Sequence, residues 1–306
     1  MALIVSGPHN AALASTNIER ANVQDIRKRS KRPLSEGMSG PLRKHVRTRM
    51  RIVIAAMAML WMASPVFADQ VADLIAGTIK ECRACDLHGA NFKKADLEGV
   101  DLTGANLTDA TFHRANLRGA ILSNVTAIGT NFNLADMTKA TMVKGDFTRS
   151  MFFAARMSGA DLSSANLTEA RMQEVRLTSA KLPGAVMDRT LIHDAVLNNC
   201  DLSGVSLLAT NLQNTKVERS KFVGASIYGA SFNQADAAGA DFSGATINQV
   251  DFYAVDLRRA KFEGANVSAS RFTRAATDKG TFTGAVLSNN FMPDGRLQSQ
   301  DPSNGE

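Results

Sequence analysis

Ala90-Asn91-Phe92-Lys93-Lys94, Ala95-Asp96-Leu97-Glu98-Gly99, Val100-Asp101-Leu102-Thr103-Gly104, Ala105-Asn106-Leu107-Thr108-Asp109: read in fives, this stretch repeats a small residue, Asp or Asn, a large apolar residue, and two further residues that are polar or Gly. The frame runs without a slip from Cys85 to Ala285, about 41 consecutive pentads, and self-similarity of that length decides the architecture before any local propensity is weighed. An apolar residue at every fifth position fits neither the 3.6-residue period of a helix nor the alternation of a strand. It fits a chain that turns a corner every five residues, with the large apolar residue and the small one two before it pointing inward and the other three facing water. Four such sides predict a coil of twenty residues.

A period of twenty is visible in two columns. Every twentieth residue from Phe92 gives Phe92, Phe112, Phe132, Phe152, Met172, Ile192, Leu212, Phe232, Phe252, Phe272 and Met292, so seven of eleven are aromatic, which a random scatter of Phe would not produce. The column from Gly104 reads Gly104, Asn124, Lys144, Ser164 and then Gly184, Gly204, Gly224, Gly244, Gly264 and Gly284. Gly at the third residue of a four-residue corner is what a type II turn requires, because φ is positive there. One face is therefore expected to turn by type II corners, most uniformly from Gly184 onward.

The motif resembles the pentapeptide-repeat family, whose A(D/N)LXX signature implies an all-β solenoid, a right-handed quadrilateral β-helix. The resemblance covers residues 85–292, about two thirds of the chain, and predicts about ten four-sided coils. With strands roughly 4.8 Å apart, these make a rod on the order of 50 Å long. Ala127, Ala237 and Thr277 replace the large core residue and Asn290 breaks the small position, so their coils are expected to be underpacked.

Outside the repeat, Arg43, Lys44, Arg47, Arg49 and Arg51 precede an uncharged run, Ile52 to Ala63, and Val66-Phe67-Ala68 places small residues as at a cleavage site. That is the layout of a secretory signal peptide over 50–68, cleaved after Ala68 to give a periplasmic or secreted protein. An uncleaved anchor is the alternative, since the apolar run lies at the lower limit for spanning a bilayer; no stable span is expected in the mature chain. Residues 1–49 read as a disordered extension or a misassigned start, with Met50-Arg51 the more natural beginning. In 69–84, Val71, Leu74, Ile75 and Ile79 recur at helical spacing from Asp69 to Glu81 and predict a short N-terminal helix covering the exposed edge of the first coil. Pro293 cannot donate to a further rung, so the solenoid should stop there and 293–306 should be a disordered tail.

The formal charge of +6 suggests nucleic acid until it is located. Residues 1–68 carry eleven Lys and Arg against three acids, a surplus of +8, which leaves the rest of the chain at −2. No general electrostatic case for DNA or RNA survives in the mature chain.

Cys82 and Cys85 form a single C-x-x-C where the helix meets the first coil. Zinc usually needs four ligands and only His88 is near, while a thioredoxin-like role lacks its βαβ context. A small disulfide pinning the helix, two free thiols, and redox or metal chemistry all remain open. Cys200 stands at an inward small position and reads as an inert buried thiol. His88, His113 and His193 all face outward; His113 and His193 share a column but lie four coils apart, roughly 19 Å, too far to share a ligand. The recurring Asp and Asn residues follow from the pentad itself, and without a cleft or a G-x-S-x-G elbow no catalytic constellation or cofactor site is drawn.

Departures from outward polarity are more informative. Ile128, Leu208 and Tyr228 share one outward column and Phe153 and Tyr253 the neighbouring face, so Leu208, Tyr228 and Tyr253 are read as one interaction patch for a protein partner. Arg258, Arg259, Arg271, Arg274 and Lys279 make the last coils basic, but Asp256, Glu263 and Asp278 lie among them and predict a mixed solvated face. The chain is read as a non-enzymatic exported scaffold of the cell envelope. Two alternatives stand beside that reading: a DNA mimic binding a type II topoisomerase, which the resemblance implies for some members and which calls for a strongly acidic face, and a redox or metal role through Cys82 and Cys85.

Overall fold

The computed structural model describes residues 66–298. Helix α1 (Val66–Ala76) opens it. It ends where Gly77 adopts φ 71°, with Thr78 N–H donating to Asp73 O (3.0 Å) and Gly77 N–H to Leu74 O (3.1 Å), the paired bonds of a Schellman motif. The helix is thus shorter than the Asp69 to Glu81 periodicity suggested. Leu74 is buried and Val71 packs against the core, whereas Ile75 is 46% exposed and Ile79 reaches the core only from beyond the helix end. Residues 1–49 and residues 50–65 of the predicted 50–68 leader lie outside the described residues; the rest of that leader, 66–68, is the start of α1.

From Glu81 to Asp256 the residue before the large core residue, the Asp or Asn position of the pentad, bridges in parallel to the one twenty positions later. Four ladders begin at Glu81↔Asp101, Asp86↔Asn106, Asn91↔Thr111 and Asp96↔Asn116, and the last link is Arg271↔Phe291. On one face the ladder lengthens into a parallel sheet of five three-residue strands in sequential order: β1 (Ser206–Leu208), β2 (Ser226–Tyr228), β3 (Thr246–Asn248), β4 (Asn266–Ser268) and β5 (Val286–Ser288). Ser206 pairs with Ser226 and Leu208 with Tyr228, so the twenty-residue period holds in the strand register. The chain is an all-β solenoid.

Its interior is the inward set read from the pentad. Phe92, Phe112, Phe132 and Phe152 stack with ring centroids 4.9, 5.1 and 5.0 Å apart, and Phe232, Phe252 and Phe272 continue the same column at 5.1 and 4.9 Å. A second stack, Phe222, Phe242 and Phe262 at 4.8 and 4.9 Å, meets the first edge-on. Each such aromatic pair adds about 0.5–1.5 kcal/mol beyond the area it buries. The centroid spacing matches the strand spacing because each ring rides on its own rung.

The corners depart from expectation in an instructive way. Left-handed residues occur at every pentad from Ala84 to Arg274, on all faces rather than one, and include Leu134 (φ 61°) and Arg114 (φ 59°). A non-Gly residue there costs roughly 1 kcal/mol or more. Two bonds hold it: Ala95 N–H donates to Phe92 O (3.0 Å), closing a type II turn, while the left-handed Lys94 donates its own N–H to His113 O (2.9 Å) on the next coil. Gly relieves this cost but is not a condition of turning.

Most polar residues at the inward small position are satisfied by one recurring bond, Thr215 and Ser270 donating instead within their own coil to Leu212 O and Ser268 O. Thr130, Thr190, Thr210 and Ser220 donate their hydroxyls to the carbonyls of Leu107, Leu167, Met187 and Leu197, twenty-three residues back, at 2.6 to 2.8 Å. Asn290 follows the same rule: its Nδ2 donates to Val267 O (3.0 Å) and its Oδ1 accepts Ser270 N–H (2.9 Å). It is buried and bonded, so it does not break its coil. Ala127 and Ala237 are fully buried, and Phe147, one coil above Ala127, turns its ring edge-on to Phe132 (6.2 Å) and Phe152 (5.9 Å). Thr277 is the position where the frame does slip. Bridging stops at Asp256↔Ala276, the segment 277–284 turns irregularly, Gly264 N–H takes the carbonyl of Gly284, and pairing resumes at Val286.

The end at Pro293 is also more ordered than predicted. Gly295 N–H donates to Met292 O (2.8 Å), the chain reverses, and Leu297 pairs antiparallel with Phe291 while Gln298 N–H reaches Asn290 O (2.8 Å). Residues 299–306 lie outside the described residues.

Candidate interaction surfaces

The two cysteines of the C-x-x-C are joined by a disulfide, with Cα atoms 5.5 Å apart. Cys82 is buried, and its N–H donates to Asp101 O (2.8 Å), so the bridge sits at the first rung. Cys200 is buried, donates its thiol to Leu177 O, and burial pushes that thiol up to about 12, leaving no thiolate near neutral pH. Among the described residues no group of three or more His, Cys, Asp and Glu is placed to hold a metal ion. His193 instead pairs through Nδ1 with Asp194 Oδ2 (2.6 Å) beside a shallow groove lined by Met151, Phe153, Arg171, Gln173 and Glu174.

The three residues read as one patch lie on two adjoining faces. Leu208 and Tyr228 are direct partners across β1 and β2, and Tyr228 is 47% exposed. Tyr253 belongs to the adjacent face and has partners of its own: Arg271 lies 4.8 Å from its ring centroid, and Arg274 donates to its hydroxyl (2.9 Å). Two of the five residues of the basic cluster are paired with acids. Arg271 is held bidentately by Asp251 (2.8 and 2.6 Å), and Arg258 binds Asp256 through two nitrogens. The Arg258 bonds hold the Asp256 carboxyl below its ordinary value against the opposing effect of burial. A mixed face is what the structure has there.

One column escaped the sequence reading although the same step of twenty exposes it. Asp161, Lys181, Asp201, Lys221, Asp241 and Lys261 alternate in sign on six successive coils of one face. The lysines are exposed and form no ion pair among the described residues. Each aspartate spends Oδ1 on its own turn, accepting the N–H of Ser163 (3.0 Å), Ser203 (3.1 Å) or Ser243 (2.9 Å).

A twenty-residue coil and a filled core define a β-solenoid built on a five-residue unit. Pentapeptide repeats match in eight copies between residues 85 and 289, and the chain belongs to that family. Its structure is similar to that of HetL, a pentapeptide repeat protein involved in heterocyst differentiation regulation from the cyanobacterium Nostoc sp. strain PCC 7120, with TM-score 0.61 and 25% identity over 71% of this chain and 91% of HetL. Rfr23 from the cyanobacterium Cyanothece 51142 matches with TM-score 0.37 and 24% identity over 43% of this chain and 99% of its own. QnrB1, a plasmid-mediated fluoroquinolone resistance protein, matches with TM-score 0.36 and 20% identity over 68% and 92%. No curated protein sequence matches the chain. Among the described residues no helix is long and apolar enough to cross a membrane.

Proposed function

We propose that this chain is an exported, non-enzymatic scaffold of the cell envelope: a right-handed, four-sided rod of about ten coils, covered at its first rung by α1 and presenting outward columns to a protein partner. The observation that carries the reading is the filled axis. Phe92 to Phe152 and Phe232 to Phe272 occupy the interior ring upon ring, so chemistry is left only to side chains on the outer faces. Export is supported by the basic, apolar and small-residue succession up to Ala68, and cleavage there leaves Asp69 first in the mature chain. The exposed Tyr228 paired with Leu208 is the side chain we assign to contact with the partner. A nucleic-acid mimic needs a strongly acidic face, and the interleaved lysines of the Asp161 to Lys261 column argue against one. The test is fractionation of cells making a C-terminally tagged copy. A processed product in the periplasm beginning at Asp69 is expected; a full-length soluble product in the cytosol would contradict the proposal.

A further inference from the structure

We infer that the face bearing Asp161, Lys181, Asp201, Lys221, Asp241 and Lys261 docks a second copy of this chain, side by side and antiparallel. The inference goes beyond the scaffold reading and is independent of export, because it concerns the purified rod alone. Six charges of alternating sign have a property that two rods can use. About a two-fold axis set between the levels of Asp201 and Lys221, Asp161 of one copy meets Lys261 of the other, Lys181 meets Asp241, and Asp201 meets Lys221. All six contacts join opposite signs. In a parallel, in-register pair each charge would meet its own like, which is unfavourable. An isologous antiparallel contact is therefore the arrangement this column selects.

The charges are available for it. The three lysines have no ion pair among the described residues, and the Oδ2 atoms of Asp161, Asp201 and Asp241 take no hydrogen bond or ion pair there. The surface between them permits close approach. Beside the charges run Ser163, Pro183, Ser203, Val223, Ser243 and Glu263, and the corner beyond is Ser164, Gly184, Gly204, Gly224, Gly244 and Gly264; Glu263 alone projects, and in the antiparallel pair it faces Ser163. Six rungs span about 24 Å, and one side of a coil is on the order of 10 Å wide. The face therefore buries on the order of 250 Å² per copy, well below the roughly 800 Å² of a stable dimer. The contact is accordingly weak, and sensitive to salt because its charges are exposed and screened within about 8 Å at physiological ionic strength.

Two single-cysteine proteins, Ser163→Cys and Glu263→Cys, test it under mild oxidation at low salt, since Cys82 and Cys85 are already bridged and Cys200 is buried. Positions 163 and 263 face each other in the antiparallel pair, whereas two copies of position 163 lie about 24 Å apart. Mixing the two proteins should give a disulfide heterodimer at least tenfold more abundant than the homodimer of either alone, and 1 M NaCl should suppress it. Adding Lys181→Glu, Lys221→Glu and Lys261→Glu to both proteins, with far-UV circular dichroism to verify folding, should remove the excess. Preferential Ser163→Cys homodimers, equal yields in all mixtures, no cross-link at protein concentrations near 1 mM, or a yield indifferent to the lysine substitutions in folded protein would each overturn the inference.

Discussion

The hydroxyl of Thr210 donates to the carbonyl of Met187, 2.7 Å away and twenty-three residues earlier in the chain. It ties one coil to the next from inside the core, where an unsatisfied hydroxyl would be costly. Thr210→Val keeps the shape and deletes the bond, so it should lower stability by about 0.5–1.5 kcal/mol, while Thr210→Ser should keep most of it. Urea denaturation of the three proteins, compared at constant m, makes the measurement.

Phe252 stacks between Phe232 (5.1 Å) and Phe272 (4.9 Å) and is fully buried. Phe252→Ala removes both contacts and opens a cavity in a column that neighbouring rungs cannot collapse to fill, and should cost about 3–5 kcal/mol. Phe153→Ala is the control: its ring is 41% exposed, and the change should stay within about 0.5 kcal/mol. Equal losses at the two positions would mean that the inward assignment is wrong.

The Cys82–Cys85 disulfide closes a loop with sequence separation of only 3, so loop-closure entropy gives it about 2 kcal/mol. Reduction should loosen the first rung locally, seen as faster hydrogen exchange at Cys82 and Ala84, whose N–H groups donate to Asp101 and Thr103. Amides of the Phe252 rung should be unaffected. Alkylation of native protein should label two cysteines only after reductant, and Cys200 only after denaturation.

Asp256 titrates below its ordinary value because Arg258 hydrogen-bonds it in the folded state. A depressed carboxylate contributes stability that is present above its unfolded value of about 3.9 and is lost as pH falls through the folded value. Arg258→Gln should move the Asp256 carbon-13 titration upward, toward the unfolded value. A titration that stays in place would show that the ion pair does not form in solution.

The core was legible because its cause is periodic: a ring at every twentieth residue can be read directly, and Phe92 to Phe152 stack as their spacing required. The corners were misread because Gly marks the cheapest left-handed residue, not the only one, and the bond from Lys94 N–H to His113 O that holds a non-Gly corner is invisible in one coil's sequence. Asn290 was misread for a similar reason, since a large polar side chain looks like a defect until Val267 O and Ser270 N–H are found beside it. Of the surface, the Leu208–Tyr228 pair followed from the twenty-residue step. The arginine partners of Tyr253 did not, because a column gives height along the rod but not which side chains, here Arg271 and Arg274, come to lie over the ring.

The central claim is that the chain advances by one strand spacing for every twenty residues. Ile121 and Lys221 stand outward in one column, one hundred residues and five rungs apart. Nitroxides at Ile121→Cys and Lys221→Cys, measured by double electron–electron resonance in protein diluted with unlabelled copies, should give a narrow distribution centred near about 24 Å. A broad distribution, or one centred beyond about 40 Å, would contradict the winding on which the filled core and the outward columns depend.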